Sequence, residues 1–451
     1  MYLEENMATG YNNWECIHMT KATKVQEMIK VFNPYPLDKE DYNNFYVDTG
    51  KIRSVISASD KIINSLTYGE YPGMKLLFMG HKGSGKSTEI VNISERLKEQ
   101  YDIINFSIAQ EIELIGIQYI DVIFVIMSQI IEYVDDNSAW LKIDHDLTEE
   151  MFKYWKTETV FEKVIKDEAQ AEAGGEAKIS FLKKISAYGK GVFKTGMESK
   201  KTIRYSIEPR ISYLIELINQ LIEQINAQLK AREQKELLII IEDLDKLEIQ
   251  DAKELFVLHR KALLSLKAKM ILSFPIYMEY IQDYSMIRDD FAECVLFSMI
   301  KVRNVDGTEN REGIDILKDI VYKRMNRELI EDEALDYIVL KSGGAIRDIF
   351  DLLKQAAFLK LGNGDIDTPI TIADAKIVET SLKATYERFI TSEEHINRLK
   401  TVYKDPHPDY VDSVLSDLLR TLSVIEYNGN RWCGVHPLLI DFMNEKGLLN
   451  E

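Results

Sequence analysis

Apolar positions follow two patterns along the chain, helical periodicity and short continuous runs, which predict helices alternating with strands. Helical periodicity appears at 51–66 and again after residue 86, where Ile90, Ile93 and Leu97 share one face. Near-continuous apolar runs bounded by turn residues are typical of strands in a parallel sheet that is covered on both faces. Five such runs predict strands: 74–79, 102–108, 236–241, 269–275 and 293–297. The pattern therefore predicts an α/β fold.

A long insertion separates the second and third predicted strands. A parallel crossover needs only about a dozen residues, and this interval is far longer. We place a helical insertion at about 135–230. It ends in a long amphipathic helix after Pro209, with one apolar face made by Ile211, Leu214, Ile215, Ile218, Ile222, Ile225 and Leu229.

The last third of the chain changes to helical patterns. Four helices are predicted at 311–326, 332–341, 345–361 and 373–389. Two further helical patterns precede β-prone residues 424–435, where Asn428-Gly429 is a strong hairpin signal. Helices followed by a hairpin predict a winged helix. The predicted division is an irregular arm (1–50), an α/β domain (51–300), a helical lid (301–390) and a winged-helix domain (391–451).

Bulk composition narrows the range of functions. The net charge of −18 argues against a protein that coats nucleic acid by bulk electrostatics. Cys16, Cys294 and Cys433 form no CxxC pair, so neither a disulfide framework nor a zinc site is predicted. The longest apolar runs are shorter than the roughly 18 residues that a membrane span needs, and the N-terminus lacks a secretory pattern. These features favour a cytoplasmic protein without membrane partners.

One segment reverses the overall charge. Residues 177–204 carry eight lysines and arginines against one glutamate, a net charge of +7. Such a run is most often a solvated loop or a contact with acidic neighbours in the same chain. The alternative is a contact with nucleic acid or an acidic partner. Lys183, Lys184, Lys200 and Lys201 would carry that contact.

A glycine-rich motif lies between the first predicted strand and the helix after it. It has the pattern GxxxxGK[ST], whose backbone N–H groups turn inward and bind phosphate at a helix N-terminus. In such a motif, Lys86 reaches the β- and γ-phosphates of ATP and the Ser87 hydroxyl binds Mg²⁺. The predicted nucleotide-binding residues are Gly80, His81, Lys82, Gly83, Ser84, Gly85, Lys86, Ser87 and Thr88.

Three acidic residues follow the third predicted strand. Glu242, Asp243 and Asp245 lie at its carboxyl end, where ligands bind in open α/β sheets. Magnesium and the attacking water both need a carboxylate there. We expect Asp243 to be essential and name it with Ser87 as a candidate metal ligand, with the other role shared between Glu242 and Asp245. The pattern leaves open which acid holds Mg²⁺ and which polarises the water. The alternative is that these residues only cap the next helix.

The order of these elements resembles AAA+ and STAND-type ATPases, particularly the origin-recognition-like initiators, over about 45–446. The resemblance implies that Ser273 occupies the sensor 1 position, although Asn or Thr is more usual there. It also implies that Arg347, in SGGAIRD, is a sensor 2 arginine that faces the γ-phosphate. A surface ion pair with Asp348 is the alternative for Arg347.

The resemblance further implies an oligomer in which a neighbouring subunit supplies an arginine. Adenine contacts are expected from Phe45, Tyr46 and Val47. Bacterial ATPases of this shape often serve in anti-phage defence, so the resemblance also implies such a role through a separate effector protein. The competing hypothesis is a DNA-binding initiator, although the net charge of −2 from residue 395 onward disfavours it. Arg431 and Trp432 on the predicted wing, and His436-Pro437 after it, are candidate contacts in either case.

The arginine that a neighbouring subunit would supply, the arginine finger, is not identified by spacing. The five candidates are Arg204, Arg210, Arg288, Arg303 and Arg324.

Overall fold

A five-stranded parallel sheet forms the centre of the molecule. The computed structural model describes residues 19–69, 71–156, 175–195, 197–407, 412–427 and 432–449. The strands are β1 Lys75–Met79, β2 Tyr101–Ser107, β3 Glu236–Glu242, β4 Lys269–Phe274 and β5 Glu293–Leu296. Their order in the sheet is β2-β3-β4-β1-β5. All five predicted strands are confirmed, and so is the α/β class.

Helices surround this sheet. Those before β3 are α1 Val25–Val31, α2 Lys39–Phe45, α3 Gly50–Arg53, α4 Ala58–Tyr68, α5 Lys86–Leu97, α6 Ile108–Glu111, α7 Tyr119–Asp136, α8 His145–Lys156, α9 Gly175–Thr195, α10 Met197–Ile207 and α11 Ile211–Glu233. Three more lie between β3 and β5: α12 Ile249–Lys253, α13 Arg260–Leu264 and α14 Tyr284–Asp290. The predicted helical insertion is present as α8 to α11, and its last helix begins two residues after Pro209.

Alternation along β1 divides the core between the two faces of the sheet. Leu76 and Phe78 pack with α4 and α5 on one face. Leu77 and Met79 belong to a larger cluster on the other face, which includes α7 and α11. Since both faces are covered, the strand can be apolar throughout. This packing fixes the carboxyl end of β1, where the glycine-rich motif begins.

Four helices form the lid: α15 Arg311–Arg324, α16 Asp332–Lys341, α17 Ile346–Asn363 and α18 Ile372–Phe389. They enclose a separate apolar cluster, which also receives Val25 and Met28 from α1 and Phe32 directly after it. The rings of Phe32 and Phe350 are 5.3 Å apart. Helix α1, the first that the structure describes, therefore packs in the lid rather than on the central sheet.

The remaining elements form what we call the C-terminal module, residues 393–449. It consists of α19 Glu393–Lys404, α20 Ser413–Arg420, β6 Val424–Tyr427, β7 Trp432–Val435 and α21 Pro437–Glu445. Strands β6 and β7 are antiparallel, as the hairpin prediction requires. The Asn428-Gly429 turn and Arg431 lie outside the described residues. The winged-helix assignment stays a prediction.

Two predictions about the start of the chain are wrong in part. The arm is not irregular throughout, because it contains α1 and α2; Asp38 caps α2 by accepting the Asp41 N–H at 2.7 Å. A single helix at 51–66 is replaced by α3 and α4. The Ser57 hydroxyl caps α4 by accepting the Asp60 N–H, which ends the continuous pattern. In the part of the chain that the structure describes, no helix has the length and apolar character to cross a membrane.

Candidate functional site

The loop between β1 and α5 presents a set of backbone donors. Gly83 and Gly85 have φ angles of +80° and +99°, which favour glycine, and Gly85 caps α5. Within the described residues, the N–H groups of Gly85, Lys86 and Ser87 have no hydrogen-bond acceptor. The buried Ser84 hydroxyl also has no partner there. Free donors at a helix N-terminus form an anion-binding site.

The Lys86 ammonium lies at the mouth of this loop. It donates to the carbonyl oxygens of Gly80 at 2.7 Å and His81 at 2.9 Å. It also forms an ion pair with Asp245 at 2.9 Å, with both side chains largely buried. Asp245 is therefore brought to the lysine, and these three contacts fix the charge beside the loop donors.

Glu242 is the acidic residue that the structure brings to Ser87. The carboxylate accepts a hydrogen bond from the Asn105 amide at 3.2 Å, and the Ser87 hydroxyl lies close to it. Burial raises the pKa of Glu242, and the Ser87 and Asn105 side chains oppose that shift. A hydroxyl and a carboxylate are oxygen ligands of the kind that Mg²⁺ prefers. The residues therefore fit a magnesium ion beside bound phosphate.

Asp243 occupies a different environment. Its φ of +70° is unusual for a residue other than glycine and turns its side chain toward β2. There it accepts the Ser107 hydroxyl at 2.6 Å and pairs with Lys246 at 2.7 Å. Asp243 lies next to the site, but the contact with Ser87 belongs to Glu242.

Ser273 supports the acidic turn. It lies at the end of β4, and its buried hydroxyl accepts the Leu244 N–H at 2.8 Å. This bond holds the turn that contains Asp243. The structure thus brings the predicted sensor 1 residue to the acidic residues.

Arg347 lies against the loop from the lid side. It is in the first turn of α17, and a Cβ added at Gly83 would lie 3.0 Å from the Arg347 Cβ. Desolvation and the nearby charge of Arg347 both lower the pKa of Lys82. Asp348 instead accepts the Tyr386 hydroxyl at 2.6 Å. No described residue forms an ion pair or hydrogen bond with Arg347.

Arg53 is a contact to the loop that the motifs do not indicate. Its guanidinium donates to Thr49 and to the Ser84 carbonyl, each at 2.8 Å, and to the Ser298 carbonyl. It lies 3.8 Å from the centre of the Phe297 ring. Burial lowers the pKa of Arg53 to about 9. Only the three-dimensional packing brings this residue, 27 positions before Gly80, to the glycine-rich loop.

The remaining predicted loop residues have separate environments. The His81 imidazole is buried and contacts the C-terminal module, whereas Lys82 is exposed and Thr88 is partly buried. In the arm, the Tyr46 hydroxyl donates to Glu89 of α5 at 3.1 Å. Phe45 is buried, and Val47 packs against the lid cluster. The predicted adenine contacts therefore lie between α5 and the lid.

Four of the eight basic residues in the 177–204 run are paired with acids of the same chain. Lys183 pairs with Asp135 at 2.5 Å and Lys200 with Glu113 at 2.8 Å. Lys190 contacts Glu111 and Glu132, and Arg204 pairs with Asp121. This is the self-complementary contact that was one interpretation of the charge run. The charge of these four residues is therefore neutralised by carboxylates of α6, α7 and the loop between them, which precede the insertion helices.

Three of the five finger candidates are held by internal contacts. Arg204 pairs with Asp121, and the guanidinium of Arg210 lies 4.4 Å from the centre of the Tyr154 ring. Arg324 is buried and donates to the Ile320 carbonyl. Arg288 and Arg303 are exposed. These two are the most exposed of the five candidates, although Arg303 also donates to the Gly307 carbonyl at 3.2 Å.

Sequence comparison agrees with this geometry. Residues 53–275 match the profile of the KAP family P-loop domain. These residues form a P-loop NTPase domain. The match begins at Arg53 and ends directly after β4, so it contains the P-loop, the acidic turn and Ser273. Arg347 and the C-terminal module lie outside the match. A comparison with curated protein sequences gave no match.

Several solved structures are remotely similar to the whole chain. One is the ORC1 protein of Aeropyrum pernix in complex with DNA, with 10% identity, a TM-score of 0.41, and coverage of 94% of this chain and 97% of that one. Another is Drosophila ORC bound to DNA, with 10% identity, a TM-score of 0.37, and coverage of 94% and 85%. A third is the Aeropyrum pernix ORC2 protein in ADPNP-ADP complexes, with 12% identity, a TM-score of 0.37, and coverage of 93% and 98%.

Proposed function

We propose that the P-loop NTPase domain binds ATP with Mg²⁺ and hydrolyses it to ADP and phosphate. The observation that carries this proposal is the convergence of Lys86, Ser87 and Glu242 at the carboxyl edge of the sheet. A phosphate-binding loop alone would serve many reactions. A carboxylate set against the P-loop serine is what a metal-dependent phosphoryl transfer requires in addition.

Each residue has a proposed role. The loop N–H groups and the Lys86 ammonium bind the phosphates. Ser87 and Glu242 would hold Mg²⁺, which neutralises phosphate charge when it is bound. Asp243 accepts the proton of the attacking water, and Ser273 holds the turn on which Asp243 lies. Asp245 keeps the Lys86 ammonium in place.

We propose that Arg347 distinguishes ATP from ADP. An arginine that has no ion-pair or hydrogen-bond partner among the described residues and packs against the loop can donate to a γ-phosphate that ADP lacks. In the Arg347→Ala variant, affinity for ATP should fall about tenfold while affinity for ADP stays unchanged, since a charged hydrogen bond contributes about 1.5 kcal/mol or more. Calorimetric titration with each nucleotide measures this difference.

Lys354→Ala is the matched control, because it removes a positive charge from the same helix further from the loop. It should leave both affinities unchanged. Equal losses for ATP and ADP in Arg347→Ala would contradict the role assigned to Arg347.

We propose that ATP binding and hydrolysis switch the protein between two conformations, and that this change is passed to other proteins. ATP binding would close the lid on the loop through Arg347 and favour association with a second copy or with an effector protein. An AAA+-like or STAND-type oligomer, cytoplasmic location and a role in anti-phage defence stay predictions from the family resemblance.

A DNA-binding initiator is the competing function, and the charge pairing of the insertion argues against it. Because Lys183, Lys190 and Lys200 already pair with carboxylates, we expect no DNA binding that depends steeply on salt. Fluorescence anisotropy with a labelled duplex over a salt series tests this expectation. Affinity that falls steeply with salt, and falls again when Lys183, Lys184, Lys200 and Lys201 are neutralised, would favour the initiator.

A further inference from the structure

Strand β6 contacts the P-loop and the lid at the same time. The Glu426 N–H donates to the Nε2 atom of His81, in the P-loop, at 2.7 Å. The next residue, Tyr427, donates its hydroxyl to the Gly343 carbonyl at 2.9 Å. Gly343 belongs to the turn that leads into α17 and Arg347. Two consecutive residues of the C-terminal module therefore reach both walls of the nucleotide site.

The register of the hairpin explains why the Glu426 N–H of β6 is free to bond outside the hairpin. Glu426 lies opposite Cys433, and both residues direct their N–H groups away from the hairpin. The Cys433 N–H donates to the Pro406 carbonyl at 2.7 Å, within the module. The Glu426 N–H instead finds its acceptor in the P-loop. The His81 side chain thus completes the outer edge of β6.

His81 connects this edge to the phosphate-binding lysine. Its carbonyl oxygen accepts the Lys86 ammonium at 2.9 Å, while its ring accepts the Glu426 N–H. The side chain is only 1% exposed, and burial lowers the pKa of His81 to about 3. The imidazole is therefore neutral, with Nε2 as the acceptor. The main chain of His81 therefore contacts the phosphate-binding lysine, while its side chain contacts the C-terminal module.

Other contacts hold the module against the lid. A Cβ added at Gly343 would lie 2.8 Å from the Ile425 Cδ1 atom, so β6 packs directly on the turn. The buried His436 ring stacks on Tyr386 at 3.9 Å, and its Nε2 atom lies 3.5 Å from the Asp348 carboxylate. Asp348 is adjacent to Arg347. These lid contacts fix the module together with a hydrogen bond from the Tyr280 hydroxyl to the Glu426 carboxylate at 2.6 Å, and the His81 ring extends it to the P-loop.

We infer that His81 is a positioning residue that couples nucleotide binding in the P-loop to the docking of β6. This inference rests on the proposed ATP binding. Bound nucleotide draws Lys86 toward phosphate and orders the loop. The ordered loop strengthens the hydrogen bond from the Glu426 N–H to the His81 ring. Coupling of this kind is reciprocal, so the docked module also favours bound nucleotide.

Hydrogen exchange at the Glu426 amide in the full-length protein tests the inference. The probe is AMP-PNP with Mg²⁺, and calorimetry on the same samples reports whether the probe binds. In the wild type, AMP-PNP should slow exchange at this amide at least about fivefold, the lower end of typical coupling between sites. His81→Gln keeps an acceptor and should keep the response. His81→Phe keeps a buried ring without an acceptor, so it should lose the response at AMP-PNP concentrations that calorimetry shows to be saturating for that variant, with an affinity lowered by the same coupling.

Tyr427→Phe is a second variant, because it removes only the hydroxyl bound to Gly343 and should leave the response at Glu426 in place. The inference is overturned if bound AMP-PNP leaves wild-type exchange at Glu426 unchanged, or if His81→Phe responds as the wild type does. A wild type that does not bind AMP-PNP overturns the proposed function itself, and the inference with it. Binding and exchange therefore separate the two failures.

Discussion

The Lys86→Ala variant is expected to lose ATP affinity by about 100-fold or more. Lys86 is the charged donor held by the carbonyls of Gly80 and His81 at the mouth of the loop. Each hydrogen bond to a charged group contributes about 1.5–3 kcal/mol, and alanine removes the charge together with every such bond to phosphate. Calorimetric titration with ATP and Mg²⁺ measures the loss.

Lys98→Ala is the matched control, since Lys98 directly follows α5 at the end far from the loop and is half exposed. It should bind ATP as the wild type does. Removing Lys86 also leaves Asp245 without its ion pair, so circular dichroism should establish that the variant is folded. A folded Lys86→Ala protein with wild-type affinity would place the nucleotide elsewhere.

The Glu242→Gln variant is expected to bind ATP yet to hydrolyse it at least about 100-fold more slowly. Glutamine keeps the size of the side chain and can still contact Ser87 and Asn105, but it removes the negative charge. Loss of one preorganised charged group in a catalytic site costs about 10²–10³ in turnover. Phosphate release at saturating ATP measures the effect.

Glu236→Gln provides the control on the same strand, because Glu236 is the first residue of β3 and lies at the end of the strand far from the site. It should turn over at the wild-type rate. Asp243→Asn should also bind ATP and hydrolyse it slowly, in line with the proton-accepting role. If Glu242→Gln hydrolysed ATP normally while Asp243→Asn lost binding in the presence of Mg²⁺, the metal role would belong to Asp243.

The sheet and most helices follow directly from the sequence pattern. A buried strand such as β3 has to be apolar on both faces, so its apolar run and its acidic end are visible without a structure. Glycine-rich loops are equally visible, because the φ values of Gly83 and Gly85 demand that residue type. Local chemistry decides both features.

Features that depend on long-range packing were not predictable in the same way. The choice between Glu242 and Asp243 depends on a left-handed turn at Asp243, which no local rule requires of an aspartate. Arg53 has no motif, and its role follows from carbonyl groups of Ser84 and Ser298 that folding brings to it. The His81 side chain belongs to a motif position that tolerates many residues, so its contact with Glu426 left no signal in the motif.

The arm illustrates the same limit. Its polar, tyrosine-rich sequence predicts irregular structure, yet Val25, Met28 and Phe32 complete the apolar cluster of the lid. A short amphipathic helix gains its stability from the surface it packs on, and here that surface is encoded about 300 residues later in the chain. Local periodicity cannot specify such a partner.

Magnesium-dependent release of phosphate from ATP by the full-length wild type tests the central claim most directly. The account predicts release that requires Mg²⁺, stops when the metal is chelated, and disappears in Lys86→Ala. Release by the wild type no faster than by Lys86→Ala would contradict the claim that this site hydrolyses ATP.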